Sequence, residues 1–197
     1  TLRNLGRALS QSDLAQQLAA VTGGRAKVRG IGARTHQGEV ELARILEQMG
    51  NKVTMGPDFI ELTGGPMKGV DVDMNNCPDS AQTLAAVALF AKGPTRVRNV
   101  KNLRVKETDR IAAIAKECGK LGAEVEEGAD GFTLVPPARV LPAEIDTYRD
   151  HRMAMSFAVA ATAAPGVVIR DPECVSKSFP GFFEKLESLG LKLQRMP

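Results

Sequence analysis

Aromatic side chains are scarce: the 197 residues include seven Phe, one Tyr and no Trp. Few platforms remain on which single-stranded bases could stack. Charge of one sign is lacking too. Lys and Arg number 26 against 23 Asp and Glu, a formal charge of +3, and no Lys/Arg run is long enough to form a stripe, so no nucleic acid partner is expected. No uninterrupted apolar run approaches the roughly 18 residues that cross a bilayer, so no membrane association is expected. No signal-peptide pattern opens the chain. Cysteine is limited to Cys77, Cys118 and Cys174. They are odd in number and far apart, which fits neither a zinc pattern nor a disulfide framework and points to a reducing cytoplasm. What is present is 43% hydrophobic and 25% charged, a composition that folds around a sizeable core. The chain begins at Thr1, and a start further upstream is expected.

A repeat organises the sequence. Lys27-Val28-Arg29-Gly30-Ile31 recurs as Arg96-Val97-Arg98-Asn99-Val100, and a third β-branched run spans Val167 to Asp171. Each reads as a strand. Each follows an alanine-rich helical stretch: Asp13 to Val21, Asp79 to Ala91, and Asp150 to Ala163. In the first two, Asp, Gln, Leu, Ala, Ala and Val coincide at a constant offset of 66. An amphipathic helix comes after each strand and stops at Gly50, Gly122 or Gly190, where glycine suits the left-handed position past a helix end. In the middle copy Ile111, Ile114, Ala115, Cys118 and Leu121 form one helical stripe. Short strands are expected next at 52–55 and 59–62, at 124–126 and 132–135, and at 192–194.

Helix, strand, helix, strand, strand is thus used three times, in units of approximately 10–75, 76–147 and 148–197. The stretch from Ser80 to Ala91 is apolar nearly all round and should be a central buried helix. Three such helices facing inward, with small sheets outside, make one α/β domain over residues 1–197 with pseudo-threefold symmetry, since no unit alone could bury its helix. The first copy fits least well, because Gln11, Asp13, Gln16 and Gln17 make its inner helix polar. Residues 1 to 9 carry no convincing strand.

Charge gathers at helix starts. Pro78-Asp79-Ser80 and Asp150-His151-Arg152 open inner helices. Lys106-Glu107-Thr108-Asp109-Arg110, preceded by Asn102, and Ser176-Lys177-Ser178 open amphipathic ones. The repeat puts equivalent starts on one side of the domain, and helix N-termini with Lys and Arg side chains suit an anionic substrate. Taken singly each has a plainer reading. Asp79 could be an N-cap, and Glu107 with Arg110, or Lys106 with Asp109, a surface pair at i,i+3. His151 could be structural and Lys177 a solvated cation.

Taken together, Asn102-Leu103-Arg104-Val105-Lys106-Glu107-Thr108-Asp109-Arg110, Asp150-His151-Arg152-Met153-Ala154-Met155 and Pro78-Asp79 resemble the 5-enolpyruvylshikimate-3-phosphate synthases (3-phosphoshikimate 1-carboxyvinyltransferases). The resemblance runs from about Gly23 to Met196. It implies a domain of three βαβαββ units with inner helices and outer four-stranded sheets. It also implies transfer of the enolpyruvyl group of phosphoenolpyruvate to the 5-hydroxyl of shikimate 3-phosphate, in aromatic amino-acid biosynthesis. No metal or organic cofactor is implied. By the same resemblance Asp79 is the general base, Glu107 the proton donor to the methylene carbon, and His151 its close neighbour. Arg110 and Arg152 grip phosphoenolpyruvate, Lys177 adds a cation to it, and Asn102 and Lys106 face shikimate 3-phosphate. A proton-donating carboxyl should be held protonated by burial or a neighbouring anion.

The family's other domain brings a Lys-Ser-x-x-x-x-Arg segment and a glycine-rich Asn-x-Gly-Thr-x-x-Arg loop that do not occur here. This chain therefore reads as one wall of a cleft, with the missing N-terminal domain supplied in cis or in trans. Ser10-Gln11-Ser12-Asp13 departs from the family's Asp-Ala-Ser-Ser-Ala pattern. A non-catalytic or split half needing a partner chain is one alternative. UDP-N-acetylglucosamine enolpyruvyl transferase is another, disfavoured by the Lys-Glu-Thr-Asp-Arg and Asp-His-Arg-Met-Ala-Met phrases. RNA 3′-phosphate cyclases share a similar unit, but none of their motifs is visible.

Overall fold

The structure, a computed structural model, describes residues 8–35 and 38–194. Small side chains let three helices approach one another at its centre: α1 (Ala8–Thr22), α3 (Ala81–Ala88) and α5 (His151–Ala161). All eight residues of α3 are buried, as are Met153 to Ala160 of α5. The polar face of α1 is buried as well. Gln17 Nε2 donates to Ser156 O at 2.7 Å, Gln16 Nε2 to Ser12 Oγ at 2.9 Å, and Ser80 Oγ to the Asp13 carboxylate at 2.6 Å. These bonds offset part of the desolvation of the polar groups, while the Gln16 and Gln17 side-chain oxygens are buried without a hydrogen-bond donor among the described residues.

Among the described residues three sheets lie outside the helices. β1 (Arg25–Arg29), β3 (Phe59–Thr63) and β2 (Lys52–Met55) form a three-stranded antiparallel sheet in that order. The second sheet has order β4-β5-β7-β6, built from β4 (Asp71–Asp73), β5 (Thr95–Arg98), β7 (Phe132–Val135) and β6 (Glu124–Glu127). β8 (Glu144–Ile145) and β9 (Val168–Ile169) make a two-stranded parallel sheet. β4 and β5 are parallel with α3 between them in sequence, and β8 and β9 likewise enclose α5, as parallel strands require a crossover. The middle segment is thus complete as βαβαββ. Among the described residues the expected four strands are found in the middle sheet, and the other two sheets have three and two. The expected strand at 192–194 does not form, and residues 1–7 lie outside the described residues.

The amphipathic helices α2 (Gly38–Gln48) and α4 (Arg110–Lys120) pack on the first two sheets, and α6 (Phe182–Ser188) buries Phe182 and Leu186 in a cluster with Met155 and Val159 of α5. The expected glycine stops are present, with φ of +119° at Gly50 and +91° at Gly122 and Gly190. Past α4 the Ala123 N–H returns to Cys118 O at 3.1 Å, which satisfies a last-turn carbonyl. The α4 stripe buries Ile111, Ile114 and Cys118, at about 1.5–3 kcal/mol for each large apolar side chain.

Candidate functional site

Short 3₁₀ turns and capped helix starts deliver the charged residues. The turn Pro78–Ser80 precedes α3 and presents Asp79. The turn Lys101–Val105 lies beside it and leads into Lys106 and Glu107. Asp109 caps α4 by accepting from the Ala112 N–H at 3.1 Å, so that Arg110 is its first residue. Asp150 caps α5 by accepting from the Arg152 N–H at 2.8 Å. Both caps fit short acidic side chains facing orphan N–H groups.

Arg110 is the centre of the site. Its side chain is 1% exposed and meets a carboxylate with each of its nitrogens. Nε donates to Asp150 Oδ2 at 2.6 Å and Nη2 to Asp150 Oδ1 at 3.4 Å. Nη1 donates to Asp79 Oδ1 at 2.9 Å, and Nη2 also to Glu107 Oε2 at 2.8 Å. The guanidinium fork suits such divided recognition, which a lysine ammonium would not reproduce. Asp150 is wholly buried, whereas Asp79 and Glu107 keep 44% and 31% of their side-chain surface exposed. Asp150 anchors the arginine; the other two carboxylates face outward.

Asp79 gathers two further cations. Lys106 Nζ lies 3.5 Å from Oδ1 and Arg152 Nη2 3.6 Å from Oδ2, and Arg152 Nη1 donates to the Asp79 carbonyl at 3.0 Å. Burial pushes the Asp79 carboxyl up, but Arg152, Arg110 and Lys106 together outweigh it and hold the group below the usual carboxylate range. No side-chain cap bond is made at the start of α3, so the N-cap reading of Asp79 fails. The surface-pair readings fail similarly: Glu107 pairs with a buried arginine, and Asp109 turns to Arg104 at 2.8 Å, away from Lys106.

His151 begins α5, and its Nδ1 is buried without a hydrogen-bond partner among the described residues. Burial is the main cause of a lowered imidazole pKa, with Asp150 and Glu107 opposing and Arg152 and Arg110 assisting. Burial thus favours the neutral imidazole, which lies within the field of Glu107. Asn102 is exposed on its turn. Lys177 is also exposed, and no ion pair joins it to the cluster among the described residues. It ends the turn Pro172–Lys177, which packs on α5, and does not open α6. Phe179-Pro180-Gly181 intervenes, and Gly181 at φ +76° starts that helix. The burial expected around the Glu107 proton donor is not supplied by these residues alone.

Sequence reasoning assigned no role to Asp150, although an aspartate opening an alanine-rich helix signals a cap. It also passed over Glu117, which is wholly buried on α4 seven residues beyond Arg110. Tyr148 and Arg149, just before Asp150, adopt left-handed φ of 55° and 56°, a conformation costing bulky residues about 1–3 kcal/mol each. Among the described residues no group of His, Cys, Asp and Glu is arranged to hold a metal ion, and no helix is long and apolar enough to cross a membrane.

Comparison with known proteins bears on this arrangement. The family model for EPSP synthase (3-phosphoshikimate 1-carboxyvinyltransferase) matches residues 13–186. The 3-phosphoshikimate 1-carboxyvinyltransferase of Aeromonas salmonicida is 54% identical over 166 residues, covering 84% of this chain and 39% of the relative. That of Serratia proteamaculans is 52% identical over 168 residues, covering 85% and 39%. Among solved structures, EPSP synthase from Acinetobacter baumannii superposes with a TM-score of 0.82 at 27% identity, over 94% of this chain and 46% of that one. The enolpyruvyl transferase NikO from Streptomyces tendae shares the fold, with a TM-score of 0.75 at 21% identity, over 95% and 44%. The chain spans about two fifths of the length of the curated relatives it matches.

Proposed function

This chain belongs to the EPSP synthase family, and on that premise we propose that it forms one wall of a cleft in which phosphoenolpyruvate and shikimate 3-phosphate react. The observation that carries the reading is the buried Arg110 fork, shared among Asp79, Glu107 and Asp150 and flanked by Arg152 and Lys106. Asp79 takes the proton of the 5-hydroxyl, and its lowered pKa keeps it ionised and ready to do so. Glu107 gives a proton to the methylene carbon, and the hydroxyl oxygen adds to the neighbouring carbon. The tetrahedral adduct then loses phosphate: Glu107 recovers a proton from the new methyl group, and the leaving phosphate takes the proton that Asp79 had accepted, which restores both carboxyl groups. Arg110 and Arg152 receive the carboxylate and phosphate of phosphoenolpyruvate in place of part of their present carboxylate contacts. Lys177 adds a cation there, and Asn102 and Lys106 face the shikimate moiety. Neutral His151 accompanies Glu107 without adding to the local charge. The chemistry is acid–base throughout and asks for no cofactor. Free cysteines favour the cytoplasm as its location.

The missing half is supplied in cis or in trans. The test joins this chain to the other domain of a relative and follows phosphate release from phosphoenolpyruvate, which should depend on shikimate 3-phosphate. Glu107→Gln is expected to abolish turnover with both substrates still bound. Near-normal turnover in that variant overturns the assignment. The short span relative to its relatives favours a second reading, a half that binds without reacting; activity of this chain alone overturns the need for a partner.

A further inference from the structure

Glu117 lies where an amphipathic helix should carry an apolar side chain. It is fully buried on α4 between Ile114 and Cys118, and a buried carboxylate persists only when paired and hydrogen-bonded. Its partners hold one short stretch of chain. Oε1 accepts from the Tyr148 hydroxyl at 2.6 Å, and Oε2 accepts from the Asp146 N–H at 3.0 Å and from Lys120 Nζ at 2.7 Å. Lys120 in turn reaches Asp146 Oδ2 at 2.9 Å and Glu144 O at 3.2 Å. The segment from β8 to α5 is therefore fastened to α4 through Glu144, Asp146 and Tyr148.

That segment needs fastening. Tyr148 and Arg149 sit consecutively in the left-handed region, which non-glycine residues hold only when their surroundings over-determine it. The next residue is Asp150, whose N–H returns to Thr147 O at 2.8 Å and whose carboxylate both grips Arg110 and caps the helix carrying Arg152. Glu117 and Arg110 are seven residues apart on one helix, about two turns and about 10 Å along its axis. They therefore lie nearly in line on one face, and α4 fixes the loop at two points.

We propose that Glu117 is a positioning residue for the site: through Tyr148 it holds the left-handed pair that sets Asp150, and Asp150 sets both Arg110 and Arg152. The inference rests on the reading that these two arginines receive phosphoenolpyruvate. Tyr148→Phe removes the Oε1 clasp and leaves the Lys120 pair and the core intact. Arg149 is exposed, and Arg149→Gly makes its left-handed conformation free of strain.

Two measurements separate the inference from the reading beneath it. Native-state hydrogen exchange on this chain tests the clasp without any turnover. In Tyr148→Phe the amides of Asp150 and Arg152 are expected to lose protection at least about tenfold, with α3 amides unchanged, and Arg149→Gly should restore much of it. Kinetics of the chain joined to a relative's other domain test the consequence. KM for phosphoenolpyruvate should rise about tenfold in Tyr148→Phe, KM for shikimate 3-phosphate should stay within about twofold, and Arg149→Gly should rescue the former. Unchanged protection at Asp150 and Arg152 overturns the inference. So does an equal rise in both KM values, or loosened amides with neither KM altered. If the joined wild-type protein shows no transfer, the function reading fails; the exchange result then decides the clasp alone, and unchanged protection overturns it.

Discussion

Replacing Arg110 by Met tests what the centre of the site contributes to the fold. The side chains have similar reach, so the change removes charge and hydrogen bonds and leaves little empty space. The three carboxylates then fare differently. Asp79 and Glu107, at 44% and 31% exposure, can turn to water, so their lost pairs count for about 0–1 kcal/mol each. Asp150 is 0% exposed and is left charged without its partner, which costs about 3–5 kcal/mol. In a chain of this size that lowers the melting temperature by roughly 6–20 °C. In urea the midpoint should fall by about 1.5–2.5 M, at an m-value of about 2 kcal/mol/M. Asp150→Asn supplies the control. Asparagine still caps α5, and Arg110 keeps Asp79 and Glu107, so the single change should cost about 1.5–3 kcal/mol for lost charge-assisted bonds. In Arg110→Met with Asp150→Asn no unpaired charge is left buried at this point, and the double variant should be more stable than the sum of the singles by at least about 1 kcal/mol. Urea unfolding of the four proteins by circular dichroism measures this. A cost below about 1 kcal/mol for Arg110→Met, or strict additivity, would refute the reasoning.

The Asp79 carboxyl should titrate below its ordinary 3.8, because burial is outweighed by Arg152, Arg110 and Lys106. Stability from this depression is fully present above about pH 3.8 and is lost as pH falls through the folded value. Carbon-detected NMR titration should find Arg152→Leu moving the midpoint upward; no movement would exclude the field of Arg152 as a cause. Burial pushes the Cys77 thiol up to about 12 and raises Cys118 and Cys174 as well. Since only Cys174 is partly exposed, a thiol reagent at pH 8 should label it first and the other two on unfolding. Gly131→Ala should weaken the β5–β7 pairing by more than about 1 kcal/mol, since an added Cβ would strike the Val97 carbonyl; an unchanged urea midpoint would show that the strands move apart without cost.

Local signals read well where they were sufficient by themselves. The glycines at 50, 122 and 190 do stop helices, and the paired runs at 52–55 and 124–127 do fold back on the strands that follow them. β4 and β8 gave no such signal. Asp71-Val72-Asp73 and Glu144-Ile145 are too short and acidic to read as strands, and they exist because β5 and β9 offer them parallel partners across a helix. Lys192 to Gln194 has the composition of a strand but pairs with nothing among the described residues. In the site, the repeat foretold that separate helix starts would converge, and Asp79, Lys106, Glu107, Arg110 and Arg152 do meet. Glu117 was illegible: an acidic residue in an amphipathic helix reads as solvent-facing, and the tyrosine that makes it a buried acceptor lies 31 residues away.

Within the cluster itself the charges nearly cancel. Lys106, Arg110 and Arg152 are matched by Asp79, Glu107 and Asp150, and the burial-lowered His151 adds nothing at neutral pH. On the proposed reading Lys177 adds one further cation to this wall, and the rest of the long-range pull on two phosphorylated substrates comes from the facing domain. On the same reading the pairing of these charges serves the reaction. The cations that keep Asp79 ionised are the ones that phosphoenolpyruvate would engage. On the proposed reading, as its anionic groups took up Arg152 and Arg110, the field depressing the Asp79 pKa would be shared, and the carboxylate would become a better base while the hydroxyl beside it must lose its proton. On this reading Asp79 would be a weak base by itself and be strengthened by the substrate that needs it. The coupling acts through Arg110, which Asp150 holds in the buried layer beneath.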